Sequence, residues 1–441
     1  MPDKAGLEQP ETTSLRGKQK RAQTCKDHRF RNLYREINAG LLHACWRDLN
    51  KKAASGVDAV TAQDYEQELG SNIDDLVERL KTKRYRAKLV RRVYIPKEGG
   101  KQRPLGIPAL EDKLVQLACA KLLGAIYEQD FLPCSYGYRP GRSAKDAVTD
   151  LGFNLQYGSY GWVVEADIKG YFDHIDHDWL LEMLSLRIDD KAFLTLIRHW
   201  LKAGILDTDG QVLHPVTGSP QGGIVSPILA NVYLHYALDL WFERVAKARC
   251  AGDAFLVRYA DDFVACFRYQ IDAVNFYEAL PKRLDKFGLQ VAAEKTRKLR
   301  FSRFHPGAKR RFSFLGFELF WRKDRLGNIR VHKRTAGKKL QAAKRRIKGW
   351  IRSNRHVKGR EFIVGLNRRL VGHYNYFGLR GNLDSLNNFY SWAIKTAYKW
   401  LNRRGGKKTS FNWATFKEAL EKLQVARPRI TEKARRHVVF A

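Results

Sequence analysis

The sequence predicts an α+β fold, because segments with the composition of paired strands are combined with segments of helical periodicity. Residues 254–267, AFLVRYADDFVACF, hold two apolar runs around Asp261 and Asp262, and Val, Leu, Phe and Tyr favour a pleated, half-buried surface. Residues 312–321, FSFLGFELFW, form a second pair of apolar runs around Gly316. In the C-terminal part, segments such as LQAAKRRIKGWI place apolar residues at helical spacing, so this part is predicted to be mainly helical.

Length and composition favour a globular protein with a nucleic-acid partner. The 441 residues are enough for two or three domains, and 44% hydrophobic with 12% aromatic residues can fill real cores. With 81 Lys and Arg against 46 Asp and Glu, the net charge of +35 costs self-repulsion unless a polyanion neutralises it. We find no apolar run of 18 residues and no zinc spacing among the six cysteines, which argues against a membrane span and fits a reduced, intracellular compartment.

The N-terminal region divides into an arm and a helical segment. Residues 1–28 are polar and lack the apolar core of a signal peptide, so we expect a flexible basic arm. From Phe30 to about Tyr85 the pattern is helical. Within residues 30–50 apolar residues recur at three-to-four spacing, which predicts an amphipathic helix that Gly40 could interrupt, and a loop follows.

Residues 91–110, RRVYIPKEGGKQRPLGIPAL, predict a hairpin with its turn at residues 98–100. Lys97, Lys101 and Arg103 crowd that turn. A triphosphate in a two-metal site carries more charge than two cations neutralise, so basic side chains at this place suit nucleotide binding. For Lys101 a solvated hairpin tip is the better interpretation.

A core helix is predicted over residues 111–129, followed by the basic loop SYGYRPGRSAKDAV. Arg139 and Arg142 precede a helix that Ser143 can cap. Arginines beside a helix N-terminus suit phosphate better than they suit the helix dipole. We therefore expect a contact to a nucleic-acid backbone, with ordinary surface packing as the alternative.

Acidic residues follow two of the predicted strands. In GWVVEADIKGYFDHI, the strand Trp162–Val164 runs into Asp167. Adjacent Asp261 and Asp262 repel each other, and a cation would offset that repulsion. Nucleic-acid phosphoryl transfer commonly uses two divalent ions about 4 Å apart, held by carboxylates of different strands. Taken singly, the Asp-Asp pair has an ordinary explanation as a solvated turn, and Asp167 as a helix cap.

Asp167 with Phe172 five residues on, then SPQGG, then YADD, in that order, resembles the palm of reverse transcriptases. The similarity is closest to the group II intron-encoded reverse transcriptase/maturase family, in the form without a C-terminal HNH endonuclease, and runs from about Phe30 to Ile430. It implies a right-hand polymerase, with fingers and palm over residues 29–305 and a mainly helical thumb/maturase domain over 306–441.

The resemblance also implies roles for individual residues. Asp167, Asp261 and Asp262 would be catalytic, and two Mg²⁺ ions would be bound by Asp167, the Ile168 carbonyl and Asp261. The nucleotide-binding set would be Lys97, Arg103, Phe172, Gln221 and Lys295.

Three of these roles have physical support or a competing explanation. A bulky ring at Phe172 would exclude a 2′-hydroxyl, although an ordinary buried Phe is the alternative. Lys295, on a strand-like return, is equally compatible with a salt bridge near Glu294. Gln221 belongs to a QG motif whose glycine lets the backbone approach a nucleotide closely.

Further positions in these motifs are predicted to start helices. In TGSPQGGIVSPILANVYLHYALD, residues 217–239, we expect a helix with Ser226 at its cap and Pro227 in its first turn. Asp173 and Asp176 are interpreted as helix-start residues and not as ligands.

Positive charge concentrates beyond the second hairpin. Residues 309–360 include 19 Lys or Arg against only Glu318 and Asp324, a block too basic for an average solvated face, which predicts helices laid along a phosphate backbone. Aromatic residues between His373 and Trp392 are more consistent with core than with base stacking. With Gly316 assigned to a primer grip by resemblance, the nucleic-acid-binding set is Arg139, Arg142, Gly316, Lys338, Lys339, Lys344, Arg345 and Arg346.

The sequence thus predicts an RNA-directed DNA polymerase that also binds group II intron RNA to assist splicing and mobility. Its expected partners are intron RNA, an RNA template with a DNA primer, and dNTPs, with target DNA left open and no membrane. The expected location is cytoplasmic and nucleoid-associated in a bacterium or archaeon. Two alternatives stay open: an intron-less reverse transcriptase of a defence, CRISPR or repair system, and an RNA-binding splicing cofactor without polymerase activity.

Overall fold

The computed structural model describes residues 10–96, 102–214, 216–218, 222–307, 309–324, 326–403, 410–434 and 436–440. The chain forms two compact units. The first comprises residues 1–140, 167–248 and 278–292, and the second comprises residues 141–166, 249–277 and 293–441. The predicted division at residues 305–306 concerns functional regions and remains a prediction, and residues 293–441 all fall within the second unit.

The described residues confirm the α+β class, with helices and mostly antiparallel strands. The α-helices, in chain order, are α1 (Pro10–Thr24), α2 (Ala39–Asp48), α3 (Ala62–Gln67), α4 (Leu69–Lys81), α5 (Leu110–Tyr127), α6 (Ala144–Tyr157), α7 (His177–Ser185), α8 (Lys191–Leu201), α9 (Ser226–Leu234), α10 (Gln270–Asp285), α11 (Gly337–Ser353), α12 (Gly359–Phe377), α13 (Leu383–Leu401) and α14 (Trp413–Lys422). None of the described helices is long and apolar enough to cross a membrane.

The strands are β1 (Val90–Pro96), β2 (Gln102–Ile107), β3 (Trp162–Asp167), β4 (Ile205–Leu206), β5 (Val212–Leu213), β6 (Ala254–Tyr259), β7 (Asp262–Phe267), β8 (Arg297–Arg300), β9 (Arg311–Phe314), β10 (Phe317–Lys323) and β11 (Ile329–Thr335). They form three sheets with the orders β2-β1-β4-β5, β6-β7-β3-β8 and β11-β10-β9.

Helix α1 contradicts the predicted flexible arm over residues 10–24. Ala22 is fully buried in this helix. The Ser14 hydroxyl donates to a Glu36 carboxylate oxygen at 2.7 Å, and Lys18 forms an ion pair with the same carboxylate at 3.0 Å. Tertiary contacts of this kind stabilise a helix whose polar sequence shows no apolar stripe.

The structure contains the other elements predicted for the first unit, although some of them begin or end at different residues. Strands β1 and β2 pair antiparallel from Arg91 opposite Ile107 to Pro96 opposite Gln102, which confirms the hairpin, while its turn lies outside the described residues. Helix α5 is buried along most of its length, as expected of a core helix. The helical segment after residue 30 breaks before Ala39 and not at Gly40, because the Asn38 side chain caps α2 by accepting from the Leu41 amide.

Strands β6 and β7 form the central hairpin of the second unit. They pair antiparallel from Ala254 opposite Phe267 to Tyr259 opposite Asp262. Nearly every residue of both strands is buried, so both faces of the hairpin are covered. This burial explains why the sequence is continuously apolar here and does not alternate.

The C-terminal helices of the second unit share one apolar core. Each of α11 to α14 contributes to it, through residues that include Ile347, Ile351, Leu366, Leu370, Leu386, Phe389, Phe416 and Leu420. Tyr374 and Phe389 are buried, as the core interpretation of the aromatic residues predicted, whereas Tyr376 remains 42% exposed.

Helix caps test the local predictions. Ser143 caps α6 in a reciprocal capping box with Asp146, and Asp176 caps α7 by accepting from the Trp179 amide at 2.8 Å, so both predictions are confirmed. The prediction for Ser226 is wrong by one position. Val225 occupies the cap of α9 and Ser226 is already its first helical residue, with Pro227 next.

Candidate active site

The two acidic residues of the central hairpin lie at its turn. Tyr259 pairs with Asp262, so Ala260 and Asp261 form a two-residue connection. Ala260 has φ +55°, in the left-handed region that costs an L-residue about 1–2 kcal/mol. Strained backbone of this kind persists where the surrounding structure holds it, and it is frequent at functional sites.

A buried arginine supports this turn. Arg258 is fully buried, and its Nη1 donates to the carbonyl oxygen of Ala260 at 3.1 Å. A guanidinium withdrawn from water places a fixed positive charge three and four residues before Asp261 and Asp262. Sequence reasoning missed this residue, although a single cation within an apolar strand beside two acidic residues was a usable signal.

Strand β3 belongs to the same sheet as the central hairpin. It is the neighbour of β7. The Gly161 amide, just before β3, donates to the carbonyl of Phe267 at the end of β7 at 2.9 Å, so the two strands run antiparallel. Strand β3 ends at Asp167, and β7 begins at Asp262.

The backbone after Asp167 is held by a short antiparallel bridge between Ile168 and Val291. The bonds of this bridge come from the flanking residues: the Ala292 amide donates to the Asp167 carbonyl and the Lys169 amide donates to the Gln290 carbonyl, both at 2.8 Å. The bridge consequently does not use the carbonyl of Ile168 that was predicted to contact a metal.

A cleft opens beside Asp262 within the second unit. Its volume is about 720 Å³, and Leu315, Gly316 and Tyr376 line it together with Asp262. The Tyr376 hydroxyl donates to the Leu315 carbonyl at 3.0 Å. Leu315 and Gly316 both have positive φ, +50° and +80°, so the β9–β10 connection makes a tight turn into this cleft.

A neutral histidine also faces the cleft. Burial, with a smaller contribution from the Arg346 guanidinium, lowers the pKa of His373 to about 4. The ring stacks on Phe389 with 3.9 Å between the ring centroids, and its Nε2 has no hydrogen-bond partner among the described residues. The Nε2 atom of His373 therefore remains available for a hydrogen bond in the cleft, and the ring carries no charge at neutral pH.

The cations of the cleft are Lys339, Arg346 and Arg369. Lys339 and Arg346 were among the predicted nucleic-acid-binding residues. Of the other predicted residues on α11, Lys338 and Arg345 are exposed, and Lys344 donates to the Asn388 side chain at 2.6 Å.

The residues predicted to bind the nucleotide are only partly described. Lys97 and Gln221, like Lys101, lie outside the described residues. Arg103 is exposed on β2, opposite Ile95. Lys295 is exposed in a turn that precedes β8, which corrects the expected strand position.

The glycine after Gln221 approaches a strand closely. Gly222 has φ +121°, and a Cβ added to it would lie 2.3 Å from the Gly106 carbonyl oxygen. The following backbone is anchored as well, since the Ile224 amide donates to the Gln116 side chain at 2.9 Å. Only glycine fits this position, which explains the residue type.

Phe172 is half-buried and therefore differs from an ordinary core phenylalanine. Its ring makes an edge contact with Tyr138, with 6.4 Å between the centroids. The backbone before it turns at Gly170, which has φ +55°. The preceding Tyr171 is buried and donates its hydroxyl to the Ala230 carbonyl, so the segment is fixed while the Phe172 ring stays accessible.

Arg139 does not occupy the position predicted for a phosphate contact. It is 8% exposed, and its guanidinium donates to Glu128 and to the carbonyls of Leu132 and Ser135 at 2.9–3.0 Å. Arg139 therefore holds its own loop together and does not present its guanidinium to a nucleic acid. Arg142 is half-exposed just before α6.

Among the described residues there is no group of three or more His, Cys, Asp or Glu side chains that could hold a metal ion.

Comparison with known proteins decides the family. Residues 95–319 match the family model described as reverse transcriptase (RNA-dependent DNA polymerase). The chain belongs to the reverse transcriptase family. The matched range includes Asp167, the turn that carries Asp261, and Gly316.

Individual relatives place this reverse transcriptase near group II intron proteins. It is 32% identical to protein YkfC of Escherichia coli over 309 residues. The aligned region covers 63% of this chain and 78% of YkfC. It is 38% identical over 241 residues to the group II intron-encoded protein LtrA of Lactococcus lactis, over 52% of this chain and 39% of LtrA. It is 43% identical over 173 residues to an uncharacterized 91 kDa protein in a cob intron of Schizosaccharomyces pombe, over 39% of this chain and 21% of that protein.

These relatives confirm the predicted membership of the group II intron-encoded reverse transcriptase/maturase branch. The chain spans well under half the length of LtrA and of the cob intron protein. The family model ends at residue 319, so helices α11 to α14 lie beyond the matched reverse transcriptase range.

Proposed function

We propose that this chain is an RNA-directed DNA polymerase that also binds group II intron RNA to assist splicing and mobility. In this proposal residues 29–305 supply fingers and palm, and residues 306–441 supply a thumb/maturase region. One observation carries it: β3, which ends at Asp167, is the antiparallel neighbour of β7, which begins after the turn with Asp261. The family match supports the same activity.

The catalytic centre would consist of Asp167, Asp261 and Asp262. Asp167, Asp261 and the Ile168 carbonyl would hold two Mg²⁺ ions, a donor set of hard oxygens that suits this cation. Mg²⁺ usually keeps waters and combines one or two carboxylates with substrate phosphates, which agrees with the small number of protein ligands. When bound, the ions lower the pKa of the primer 3′-hydroxyl and neutralise charge on the leaving pyrophosphate.

The protein's own residues would position the reactants. The buried Arg258 fixes the Ala260 carbonyl, and with it the turn that aims Asp261. Phe172, half-buried and accessible, would exclude a 2′-hydroxyl by contact. The remaining nucleotide-binding residues are proposed to be Lys97, Arg103, Gln221 and Lys295.

The cleft beside Asp262 would receive the primer end. Gly316 and Leu315 turn the backbone toward the cleft, and Lys339 with Arg346 supplies positive charge for the sugar-phosphate chain. His373 would offer a neutral polar contact there, because its lowered pKa keeps the ring uncharged at neutral pH.

Binding of intron RNA would use the basic residues of the helical region. Lys338, Lys344 and Arg345 on α11 remain proposed contacts, as does Arg142 beside α6. The net charge of +35 supports a polyanionic partner, and the name of the relative LtrA, a group II intron-encoded protein, suggests intron RNA.

The test is primer extension on a mixed-sequence RNA template with dNTPs and Mg²⁺, beside a splicing assay with a group II intron RNA. Extension by the wild-type chain that Asp261→Ala abolishes, with RNA affinity retained, supports the polymerase. Tight, salt-sensitive RNA binding and splicing stimulation without any extension would instead favour an RNA-binding splicing cofactor.

A further inference from the structure

Residues 431–434 and 436–440 form an extended segment without helix or strand, which we call the strap. The strap contacts the end of α12, one side of α6 and the start of β6, and all of these belong to the second unit. Each of its described residues is half-buried or exposed. Its attachment therefore depends on specific contacts more than on burial of apolar surface.

One end of the strap is bound to the end of α12. The amides of Thr431 and Glu432 both donate to the Gly378 carbonyl, at 2.8 and 3.0 Å. The Thr431 hydroxyl donates to the Tyr374 carbonyl at 2.9 Å. The Arg380 amide donates to the Glu432 carboxylate at 2.6 Å. A Cβ added to Gly378 would lie 2.9 Å from the Thr431 amide nitrogen, so a larger residue there would displace the strap.

The other part of the strap lies along polar residues of α6. The Asn154 side chain donates to the Val438 carbonyl at 2.7 Å and accepts from the Phe440 amide at 2.9 Å. Asp150, one turn earlier, accepts from the Val438 amide at 3.3 Å and lies 3.2 Å from Nδ1 of His437. Asp150 and Asn154 are almost fully buried, and buried polar groups need partners. The strap supplies partners to both, so its register on α6 is specified.

The last described residue of the strap contacts the central hairpin. The Phe440 ring stacks on Phe255, with 5.2 Å between the centroids and 5° between the ring planes. The Tyr160 hydroxyl, just before β3, donates to the Phe440 carbonyl at 3.0 Å. Phe255 lies near the start of β6, and β6 runs from there to the turn that carries Asp261. The strap thus joins α12 to the hairpin with the catalytic turn.

Helix α12 also carries part of the lining of the cleft beside Asp262. His373, Tyr376 and Phe377 are its contributions to that lining. Phe377 is the last residue of the helix, and the next residue, Gly378, accepts the two amides of the strap. The strap is therefore attached directly beside the cleft, although none of its described residues lines the cleft.

We propose that the strap positions the primer cleft against the catalytic hairpin before nucleic acid binds, with Thr431 and Asn154 as positioning residues. The inference rests on the proposed polymerase function. A cleft that is already in place binds the primer without using binding energy to order α12. A loosened strap leaves only a fraction of the molecules ready to bind, which weakens the apparent affinity by that fraction. The bound state itself is unchanged, so the loss appears in binding and not in the chemical step.

The test compares two full-length double variants that carry the same two substitutions. Asn154→Leu/Thr431→Val removes side-chain hydrogen bonds at both ends of the strap. Asn402→Leu/Thr396→Val removes bonds of the same kind elsewhere in the second unit. Asn402 donates to the Phe411 carbonyl and accepts from the Phe411 amide, both at 2.8 Å, and the Thr396 hydroxyl donates to a carbonyl of α13 at 2.7 Å. Neither double variant changes the net charge.

Three quantities are measured with a DNA primer on an RNA template. They are the equilibrium affinity for the primer–template, the number of nucleotides added per binding event with excess unlabelled primer–template as a trap, and the rate of the first incorporation from the pre-bound complex. The strap variant is expected to bind about tenfold more weakly and to add correspondingly fewer nucleotides before release. Its first incorporation should stay within about twofold of the wild-type rate.

The control variant should match the wild type in all three quantities. If the double strap variant does not fold, Thr431→Val beside Thr396→Val carries the test, with a smaller expected loss of affinity.

Four results would overturn the proposal. Equal losses in both double variants would show that general destabilisation weakens binding. Unchanged affinity and product length in the strap variant would limit the strap to a structural role. A slower first incorporation with unchanged affinity would show that the strap acts on the catalytic turn and not on the cleft. No extension by the wild-type chain would overturn the proposed polymerase function, and this inference with it.

Discussion

Arg258 and Ala260 are joined by a hydrogen bond of 3.1 Å from a fully buried guanidinium to a backbone carbonyl in the left-handed conformation. The bond fixes the short turn that carries Asp261. It thereby links a residue inside the sheet to the geometry of the carboxylates at the sheet edge.

Replacing Arg258 tests this link. Arg258→Met keeps an apolar stem but leaves the Ala260 carbonyl without its donor, so the free energy of unfolding should fall by about 1–3 kcal/mol. The Mg²⁺ concentration needed for half-maximal primer extension should rise, because the turn no longer holds Asp261 in place. Arg268→Met, at a half-exposed arginine directly after β7, should change neither quantity measurably. Equal effects in both variants would contradict the special role of Arg258.

The accessible ring of Phe172 predicts a change in sugar selection. Phe172→Ala should raise the efficiency of ribonucleotide incorporation relative to deoxynucleotides by roughly 100-fold, since a steric barrier to one hydroxyl is removed. The ratio of kcat/KM for dNTP and rNTP measures it. Tyr171→Phe, which removes only the hydroxyl bonded to Ala230, should leave that ratio as it is. Unchanged selection in Phe172→Ala would move the barrier to another residue.

Gly222 offers a test of the nucleotide pocket. In Gly222→Ala the new Cβ would lie 2.3 Å from the Gly106 carbonyl oxygen, so the backbone must shift, and kcat/KM for dNTP should fall by roughly 100-fold. Gly210→Ala is the matched control, because Gly210 also has positive φ but has open space around it. It should cost about 1 kcal/mol of stability and leave nucleotide incorporation near wild type. Similar kinetics in the two variants would argue against the close approach as a cause.

His373 predicts a pH dependence of stability. Burial, together with Arg346, lowers its pKa in the folded state to about 4, whereas the unfolded chain has the ordinary value of about 6.5. Between these two values the unfolded state binds a proton that the folded state does not, so stability falls as the pH falls. The contribution lost by pH 4 is about 2–3 kcal/mol.

Urea unfolding across this pH window measures that effect. In His373→Phe the ring can still stack on Phe389, and the part of the slope due to His373 should disappear. His305→Phe, at an exposed histidine, should keep the wild-type slope. An unchanged slope in His373→Phe would show that other groups cause the acid sensitivity.

The elements that the sequence predicted well are those determined by local chemistry. The hairpin around Asp261, the strand into Asp167 and the capping box of Ser143 follow from apolar runs, turns and caps that involve neighbouring residues. The ordered motifs carried the family resemblance, and the reverse transcriptase match confirms that family.

The elements that it missed depend on distant partners. Helix α1 is stabilised by Glu36 and by burial of Ala22, which a polar sequence does not indicate. From the sequence, the Arg139 guanidinium could bind either a phosphate or groups of its own loop. The fold shows that it donates hydrogen bonds to Glu128 and to two backbone carbonyls. The two compact units likewise draw on segments far apart in sequence, and no local pattern in the sequence indicates such a division.

The most direct test of the central claim is single-nucleotide incorporation on a pre-bound RNA template and DNA primer with Mg²⁺. Asp167→Asn and Asp261→Asn should each lower the incorporation rate by roughly 100-fold or more while template affinity stays the same. Asp253→Asn, at an exposed carboxylate of the unit that holds Asp261, should incorporate at the wild-type rate. Near-normal incorporation by either Asp167→Asn or Asp261→Asn would contradict the claim that these two carboxylates form the catalytic centre.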